Sequence, residues 1–359
     1  MKQLKNFTLH LLAGANVTTI VAMLAVGYSG CVNPAQHRLV GIIGLSFPAF
    51  LVANLAFLLF WLCVRKRWAL IPLAGFVLGY APVRAYCPLN IPRTAPEGCI
   101  KVLAYNTLSW GNWKADDPCP TVAQYIHDQD ADIVCLEEAN IPPPRCQLQL
   151  DSLLSPLYAY SDTALSAEKS DAIWLMSKYP IVKKEKIVYP SKSNHSAAFW
   201  LKRGQDTIIV VANHLQSTSL TNEERQRFRS MVHGDMADTS PRAEGHTLYT
   251  KLGEATAMRA PQVDAVVDYV RRHSRHPVIV CGDMNDSPIS YTRHRLAQVL
   301  TDCYAATANG PGISYHYNAF YVRIDHMFAS SHFQPYGCRV DRSISASDHY
   351  PLLCWLKLH

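Results

Sequence analysis

The chain has 359 residues, with 34 Lys and Arg, 28 Asp and Glu, 11 Cys and a formal net charge of +6. That charge is lodged at one end: positions 1–100 hold eight basic residues (Lys2, Lys5, Arg38, Arg65, Lys66, Arg67, Arg84, Arg93) against the single acid Glu97, leaving 26 basic and 27 acidic residues downstream. Composition therefore gives no sign of a broad nucleic-acid-binding face in the larger part, although it leaves room for a local basic groove. The cysteines show neither CxxC pairs nor Cys/His zinc spacing, which argues against structural zinc.

Three apolar runs come first. Leu9–Tyr28 and Leu39–Val64 contain no charged residue and are long enough to cross a bilayer; Trp68–Val83 is shorter and carries Pro72 and Gly75, with Trp68, Tyr80 and Arg84 as interfacial anchors. No small-x-small cleavage site follows the first run, so it reads as an uncleaved anchor. Lys2, Lys5 and Arg65-Lys66-Arg67 place the amino terminus and the second loop in the cytoplasm. If the third run spans, the rest of the chain emerges on the far side. Residues 1–84 thus form an expected membrane anchor, 85–99 a Pro-rich linker and 100–359 a separate domain.

In that domain Ile100–Tyr105 reads as a strand ending on Asn106, and Pro120–Gln129 as a helix. Ile133–Leu136 is a second strand closing on Glu137 and Glu138, which face opposite ways, so at most one can enter a given site. SDAIWLMSKYPIV is a strand running into a turn at Ser177–Pro180, and a hairpin turning near Arg203–Asp206 delivers Asn213-His214 at its end. Thr221–Arg272 reads as two helices broken near Thr239-Ser240-Pro241, the second with an apolar stripe at Ala257, Val263, Val266, Val267 and Val270. Cys87 with Cys99, Cys119 with Cys146, or Cys303 with Cys338 could pair in an oxidising compartment, which sequence alone does not establish.

The organising stretch is VIVCGDMNDSP, Val278–Pro288: a buried strand broken sharply into a polar turn. Strand alternation would put Asp283 and Asn285 on one side, an anionic acceptor beside an amide, a pair suited to a hydrated cation and a phosphate oxygen. An Asx-type turn explains the same residues by local preference. Farther on, VRIDHMF places Asp325 in an extended run and SASDHYPLL places Ser347-Asp348-His349 before the last strand. An imidazole there can act as a base if a separate carboxylate orients it.

In this order, Asn106, Glu138, His214, Asp283-Met284-Asn285, Asp325 and Ser347-Asp348-His349 resemble the motif series of the endonuclease/exonuclease/phosphatase superfamily, which includes deoxyribonuclease I-like enzymes, apurinic endonucleases, inositol polyphosphate 5-phosphatases and neutral sphingomyelinases. The resemblance covers about residues 100–359, and the three-run start resembles the family's membrane-anchored bacterial branch. It implies a four-layer α/β sandwich, two packed mixed β-sheets flanked by helices, preceded by transmembrane helices. By motif it implies Glu138 (in LEE, where Leu-Gln-Glu is commoner), Asn106 and Asp348 at the metal, and Asp283 and Asn285 positioning water and phosphate. His214 would contact phosphate, with His349 as general base and Asp325 its orienting carboxylate.

The implied activity is a divalent-metal-dependent phosphoester hydrolase, most simply a phosphodiesterase acting on nucleic acid or a phospholipid head group. Mg²⁺ suits the hard oxygen ligands, with Mn²⁺ as a substitute. The implied location is a bacterial inner membrane, with the catalytic domain extracytoplasmic. The alternatives are a phosphomonoesterase of the inositol phosphatase type and a non-catalytic, membrane-anchored binding protein with the same fold.

Overall fold

The computed structural model describes residues 2–111, 118–142, 144–218, 220–233 and 241–359. The chain begins with helices α1 (Lys2–Gly27), α2 (Arg38–Ile43), α3 (Phe47–Val64), α4 (Leu70–Leu78) and α5 (Tyr80–Tyr86). Two segments, Gln3–Cys31 and Arg38–Val64, are long and apolar enough to cross a membrane; the third run is a helix pair bent by 72° between α4 and α5. The bend follows from Pro82, which has no N–H to offer the carbonyl of Leu78 four residues back. That carbonyl instead accepts a hydrogen bond from the Tyr28 hydroxyl (2.7 Å).

Two asparagines within the apolar runs, Asn16 and Asn54, face inward. Trp61 Nε1 donates to Asn16 Oδ1 (3.1 Å), and Asn16 Nδ2 donates to Asn54 Oδ1 (3.2 Å), so each buried amide has a partner across helices. Leu9, Trp61 and Ala69 cluster at one end of the bundle, and Met23, Val26, Phe47 and Ala85 at the other. The third segment therefore runs the full length of the bundle despite its bend.

The strands, in chain order, are β1 (Ile100–Asn106), β2 (Ile133–Glu137), β3 (Tyr160–Leu165), β4 (Ala172–Ser177), β5 (Ile181–Ile187) and β6 (His195–Arg203). They continue with β7 (Asp206–His214), β8 (Val278–Asp283), β9 (Thr301–Asp302), β10 (Asp325–Ala329), β11 (Phe333–Val340) and β12 (Leu352–Leu358). They form two six-stranded sheets, ordered β11-β12-β1-β2-β4-β3 and β5-β6-β7-β8-β10-β9. Each sheet is mixed, with one parallel pair: β1 with β2 in the first, β7 with β8 in the second.

Period-two alternation explains the layering. Ile100, Val102 and Ala104 point to the other sheet, where they meet Phe199, Val210, Ile279 and Cys281 in one dry core. Leu103 and Tyr105 point outward, under Val122, Ile126 and Leu150 of the helices Pro118–Gln129 and Pro144–Leu154. Val278 and Val280 likewise face outward, against Val263, Val266, Val267 and Val270 of the helix Pro241–Arg272, the stripe expected from sequence. Helix, sheet, sheet, helix is the four-layer α/β sandwich. Each fully buried Val, Leu, Ile or Phe contributes roughly 1.5–3 kcal/mol, so these three clusters are the main source of stability.

The segment after α5 lacks helix and strand up to β1, yet it is tied to the sandwich. Asn90 Nδ2 donates to the Ala305 carbonyl (3.2 Å), Gly310 N donates to Pro88 O (2.9 Å), and the buried Arg323 guanidinium donates to the Ala85 carbonyl. Cys87, Cys99, Cys303 and Cys338 are free thiols, the last two buried. Neither the Cys87–Cys99 nor the Cys303–Cys338 pairing is therefore present, and Cys303 and Cys338 pack in the apolar core as small hydrophobes. Cys146 is disulfide-bonded, and the side chain of Cys119 lies outside the described residues, as does the Thr239-Ser240 break.

Candidate active site

The two parallel pairs point the same way, so four strand ends meet at one edge of the sandwich. In the first sheet Asn106 pairs in register with Glu137, and in the second His214 pairs with Asp283. Asp325 opens β10 directly opposite Asp283, and Tyr315 bridges to His349 just before β12. Register alone therefore brings residues from distant parts of the chain to one place.

Asp283 is the hub. Its Oδ2 accepts from Asn106 Nδ2 (3.2 Å), and its Oδ1 accepts from the backbone N–H of Asn285 (2.8 Å). The second bond is an Asx turn, so the local preference noted in the sequence and the placement of the site coexist. Asn285 has φ 51°, so strand alternation ends at Asp283 and does not explain its position. It faces the pocket because the left-handed turn swings it there, with Nδ2 donating to Leu215 O (3.0 Å). Gly282, at φ 119°, must be glycine: a Cβ would lie 2.2 Å from Asn213 O and 2.6 Å from Glu137 Oε1.

Two imidazoles flank the hub. His214 Nε2 lies 3.8 Å and His349 Nε2 3.7 Å from Asp283 Oδ2. Each ring is held from behind by a buried carboxylate: His214 Nδ1 donates to Asp171 Oδ2 (3.0 Å), and His349 Nδ1 to Asp325 Oδ2 (2.9 Å). Burial alone would lower both imidazole pKa values, but the facing carboxylates outweigh it and raise each to about 10. Burial raises the Asp283 carboxyl to about 6, against the opposing pull of the two rings.

The ambiguity between the adjacent acids is resolved by their surroundings. Glu138, at φ 50°, turns into the pocket, where its Oε1 accepts from Asn106 Nδ2 (3.1 Å) and lies 3.7 Å from His214 Nε2. Glu137 is buried between the sheets with neither carboxylate oxygen hydrogen-bonded among the described residues, and that burial holds its pKa well above the usual range. Ser347 ties the last loop to β1, its hydroxyl donating to the Asn106 carbonyl (2.8 Å).

A pocket of about 280 Å³ opens above these groups and is lined by Glu138, His214, Asp283, Asn285, Asp348 and His349. Asn106 and Asp325 stand behind it through their bonds to Asp283, Glu138 and His349. Ligand atoms of Asp283, Asp325 and His349 all lie within 4.8 Å of one another. The buried His214 Nε2 has no hydrogen-bond partner among the described residues. Clustered carboxylate and amide oxygens with that orphaned nitrogen fit a hard divalent cation together with an anionic ligand.

Several residues lay beyond sequence reasoning. Asp171 precedes β4 and holds His214, and His195 Nδ1 lies 3.2 Å from the same carboxylate oxygen. Arg225, whose Nη1 donates to the Tyr315 hydroxyl (2.6 Å), and the buried Arg259, 3.4 Å from Asp286, also line the pocket. Tyr315 packs edge-on against His349 with ring centroids 5.0 Å apart. The one available signal was Asp171 itself, an acid opening an otherwise apolar strand.

Two mixed sheets meeting at such an edge, with the polar residues gathered there, define the class of fold, and the comparisons name the family. The Endonuclease/Exonuclease/phosphatase family model matches residues 111–349, and the chain belongs to that family, whose members are phosphoester hydrolases. A domain family of unknown function, DUF8431, matches residues 9–86. No curated protein matches significantly.

Among solved structures, an endonuclease/exonuclease/phosphatase from Beutenbergia cavernae DSM 12333 is 20% identical with a TM-score of 0.53, covering 72% of each chain. Sphingomyelinase C from Streptomyces griseocarneus is 21% identical with a TM-score of 0.51, covering 72% of this chain and 99% of that one. The human Nocturnin catalytic domain is 16% identical with a TM-score of 0.51, covering 74% and 97%. At these identities the likeness is one of fold.

Proposed function

We propose that the chain is a divalent-metal-dependent phosphodiesterase, with residues 100–359 as catalytic domain, 1–84 as membrane anchor and 85–99 as the connection. The supporting observation is the pair of carboxylate-backed imidazoles on either side of Asp283, at 3.7 and 3.8 Å. Glu138, Asn106 and Asp348 would hold the cation, and Mg²⁺ suits that oxygen-rich set. When bound, such a cation supplies charge neutralisation at the phosphoryl oxygens and at the carboxylates that otherwise keep protons on both imidazoles.

The remaining work falls to the protein's own side chains. Asp325 orients His349 so that Nε2 faces the pocket, where it takes the proton of an attacking water. Asp283 and Asn285 position that water and the phosphate. Asn106 and His214 donate hydrogen bonds to the charge that builds on the phosphoryl oxygens. Nucleic acid and a phospholipid head group are the substrate classes this chemistry serves.

Asp283→Ala should lower turnover of bis-p-nitrophenyl phosphate by at least about 10³-fold, since it removes the group that contacts Asn106, Asn285 and both imidazoles. Turnover at the wild-type rate would end this reading. The proposed location is the inner membrane, with the catalytic domain extracytoplasmic. The third segment's passage along the whole bundle supports this topology, because it carries the chain to the end opposite Arg65-Lys66-Arg67. A reporter fused after His359 and active only in the cytoplasm would refute it.

A further inference from the structure

The pocket is not walled by the sandwich alone. Gly41 of α2 and Leu45, in the elbow between α2 and α3, line it together with Asp283 and His349. Close backbone approach fits this elbow to the domain. A Cβ on Gly44 would sit 2.1 Å from the Ile289 carbonyl oxygen, and one on Gly41 would sit 2.7 Å from Thr256 Cγ2. Side chains at either position would push the anchor off the catalytic rim.

The elbow's place relative to a bilayer follows from helix length. The candidate span Arg38–Val64 has 27 residues, about 40 Å at 1.5 Å per residue, and exceeds a hydrocarbon core of about 30 Å by roughly seven residues, whereas the 18 residues of α3 span about 27 Å. With α3 crossing, Phe47 marks one surface of that core, and Leu45 lies at the boundary. Leu39, Ile43 and Leu45 of this elbow are 60%, 38% and 45% exposed, as residues resting in the interface would be.

The pocket has two kinds of wall. Its lining joins the carboxylates, the imidazoles and the guanidiniums of Arg225 and Arg259 to an apolar set, Leu45, Leu220, Leu252, Phe320 and Val322. Arg225 and Arg259 can meet a single phosphodiester, but the apolar set does not serve a polyanion, and the balance of 26 basic to 27 acidic residues after position 100 supplies little attraction for one. It does suit a molecule that is charged at one end and greasy at the other.

We propose that the substrate is a membrane phospholipid taken from the leaflet against which the elbow lies, its phosphodiester at Asp283 and its acyl-bearing part along Leu45 and the rest of the apolar set. This rests on the phosphodiesterase reading and names its substrate class. In the reaction a water oxygen bonds to phosphorus and the P–O bond to one ester alcohol breaks. One water proton passes by way of His349 to the departing alcohol oxygen. The products are that alcohol and a phosphomonoester.

The test uses the full chain in lipid nanodiscs with four probes: long-chain phosphatidylglycerol and phosphatidylcholine, their dibutyryl forms in free solution, bis-p-nitrophenyl phosphate, and a single-stranded oligonucleotide. Wild type should hydrolyse at least one long-chain lipid with kcat/KM ten or more times that of its dibutyryl form. Leu45→Asp should lower the ratio of long-chain to dibutyryl turnover at least tenfold, chiefly through KM, while Leu45→Phe should keep it.

Hydrolysis of the oligonucleotide or the soluble diester without any long-chain lipid overturns the lipid assignment and leaves the phosphodiesterase reading standing. A chain-length ratio near one in wild type overturns it equally, and needs no variant to fold. Failure to cleave any of the diesters with Mg²⁺ or Mn²⁺ present overturns both.

Discussion

The two imidazole arms of the site are built as near mirror images and differ in what stands behind them. His214 ends β7 in the second sheet and is held by Asp171, which precedes β4 in the first; His349 precedes β12 in the first sheet and is held by Asp325 of β10 in the second. Each arm thus crosses between the sheets, in opposite directions, and the edge of the sandwich is cross-braced. The difference lies in the sharing of the carboxylate. Asp171 Oδ2 faces two imidazoles, His214 at 3.0 Å and His195 at 3.2 Å, whereas Asp325 holds His349 and is itself anchored by its N–H to Ser314 Oγ (3.2 Å). A carboxylate committed to one ring fixes that ring's tautomer and aim; a shared one divides its hold between two rings. The first arrangement suits proton transfer, the second a fixed hydrogen-bond donor.

The strongest test of this division is to remove each ring. His349→Ala should cost about 10³–10⁴-fold in kcat, the range for losing a positioned base. Asp325→Asn should cost about 10²-fold, because the amide can present its N–H to the ring and favour the wrong tautomer. The Asn variant should depress kcat with little change in KM, and an equal loss in both would mean that Asp325 only supports the fold. His214→Ala should cost less than His349→Ala, about 10²-fold, the scale for one donor to a charged oxygen. If the loss at His214 exceeded that at His349, the roles of the two arms would have to be exchanged.

How much of this contrast sequence could reveal depends on which rule reached which residue. His349, Asp283 and Glu138 were visible because each stands at the border of an apolar run, His349 before one and the two acids after one, and strand ends are legible from hydrophobic pattern. The four layers were implied by the family resemblance; β8 is apolar throughout, so pattern alone did not say that Ile279 and Cys281 face the other sheet while Val278 and Val280 face a helix. Asn285 was placed correctly for the wrong reason: alternation was assumed past Asp283, where a left-handed turn takes over. Asp171 was missed because its role depends on β4 lying in the opposite sheet from β7, a long-range pairing that local pattern does not encode. The contribution of Gly41 and Leu45 was hidden behind their apolar run, which reads as membrane span whether or not it touches anything else.

The smallest expected effect is the one most diagnostic of the shared arm. In the cation-free protein burial would raise the Asp171 carboxyl, but the His214 and His195 rings outweigh it and hold its pKa far below the usual range. A carboxyl depressed in the folded state stabilises above its unfolded value of about 3.9, and that contribution is lost as pH falls through the depressed value. His214 is raised to about 10, so its contribution is complete below the unfolded value of about 6.5 and is lost as pH rises through about 10. The Asp171–His214 pair is therefore fully effective between about pH 4 and 6.5. Asp171→Asn should cost about 1.5 kcal/mol in that window, the low end for a hydrogen bond to a charged group, and lower the melting temperature by a few degrees. The deficit should shrink on both sides of the window when melting is followed from pH 3 to 11 in EDTA. A deficit constant across that range would assign Asp171 to packing alone, and would remove the distinction between the two arms.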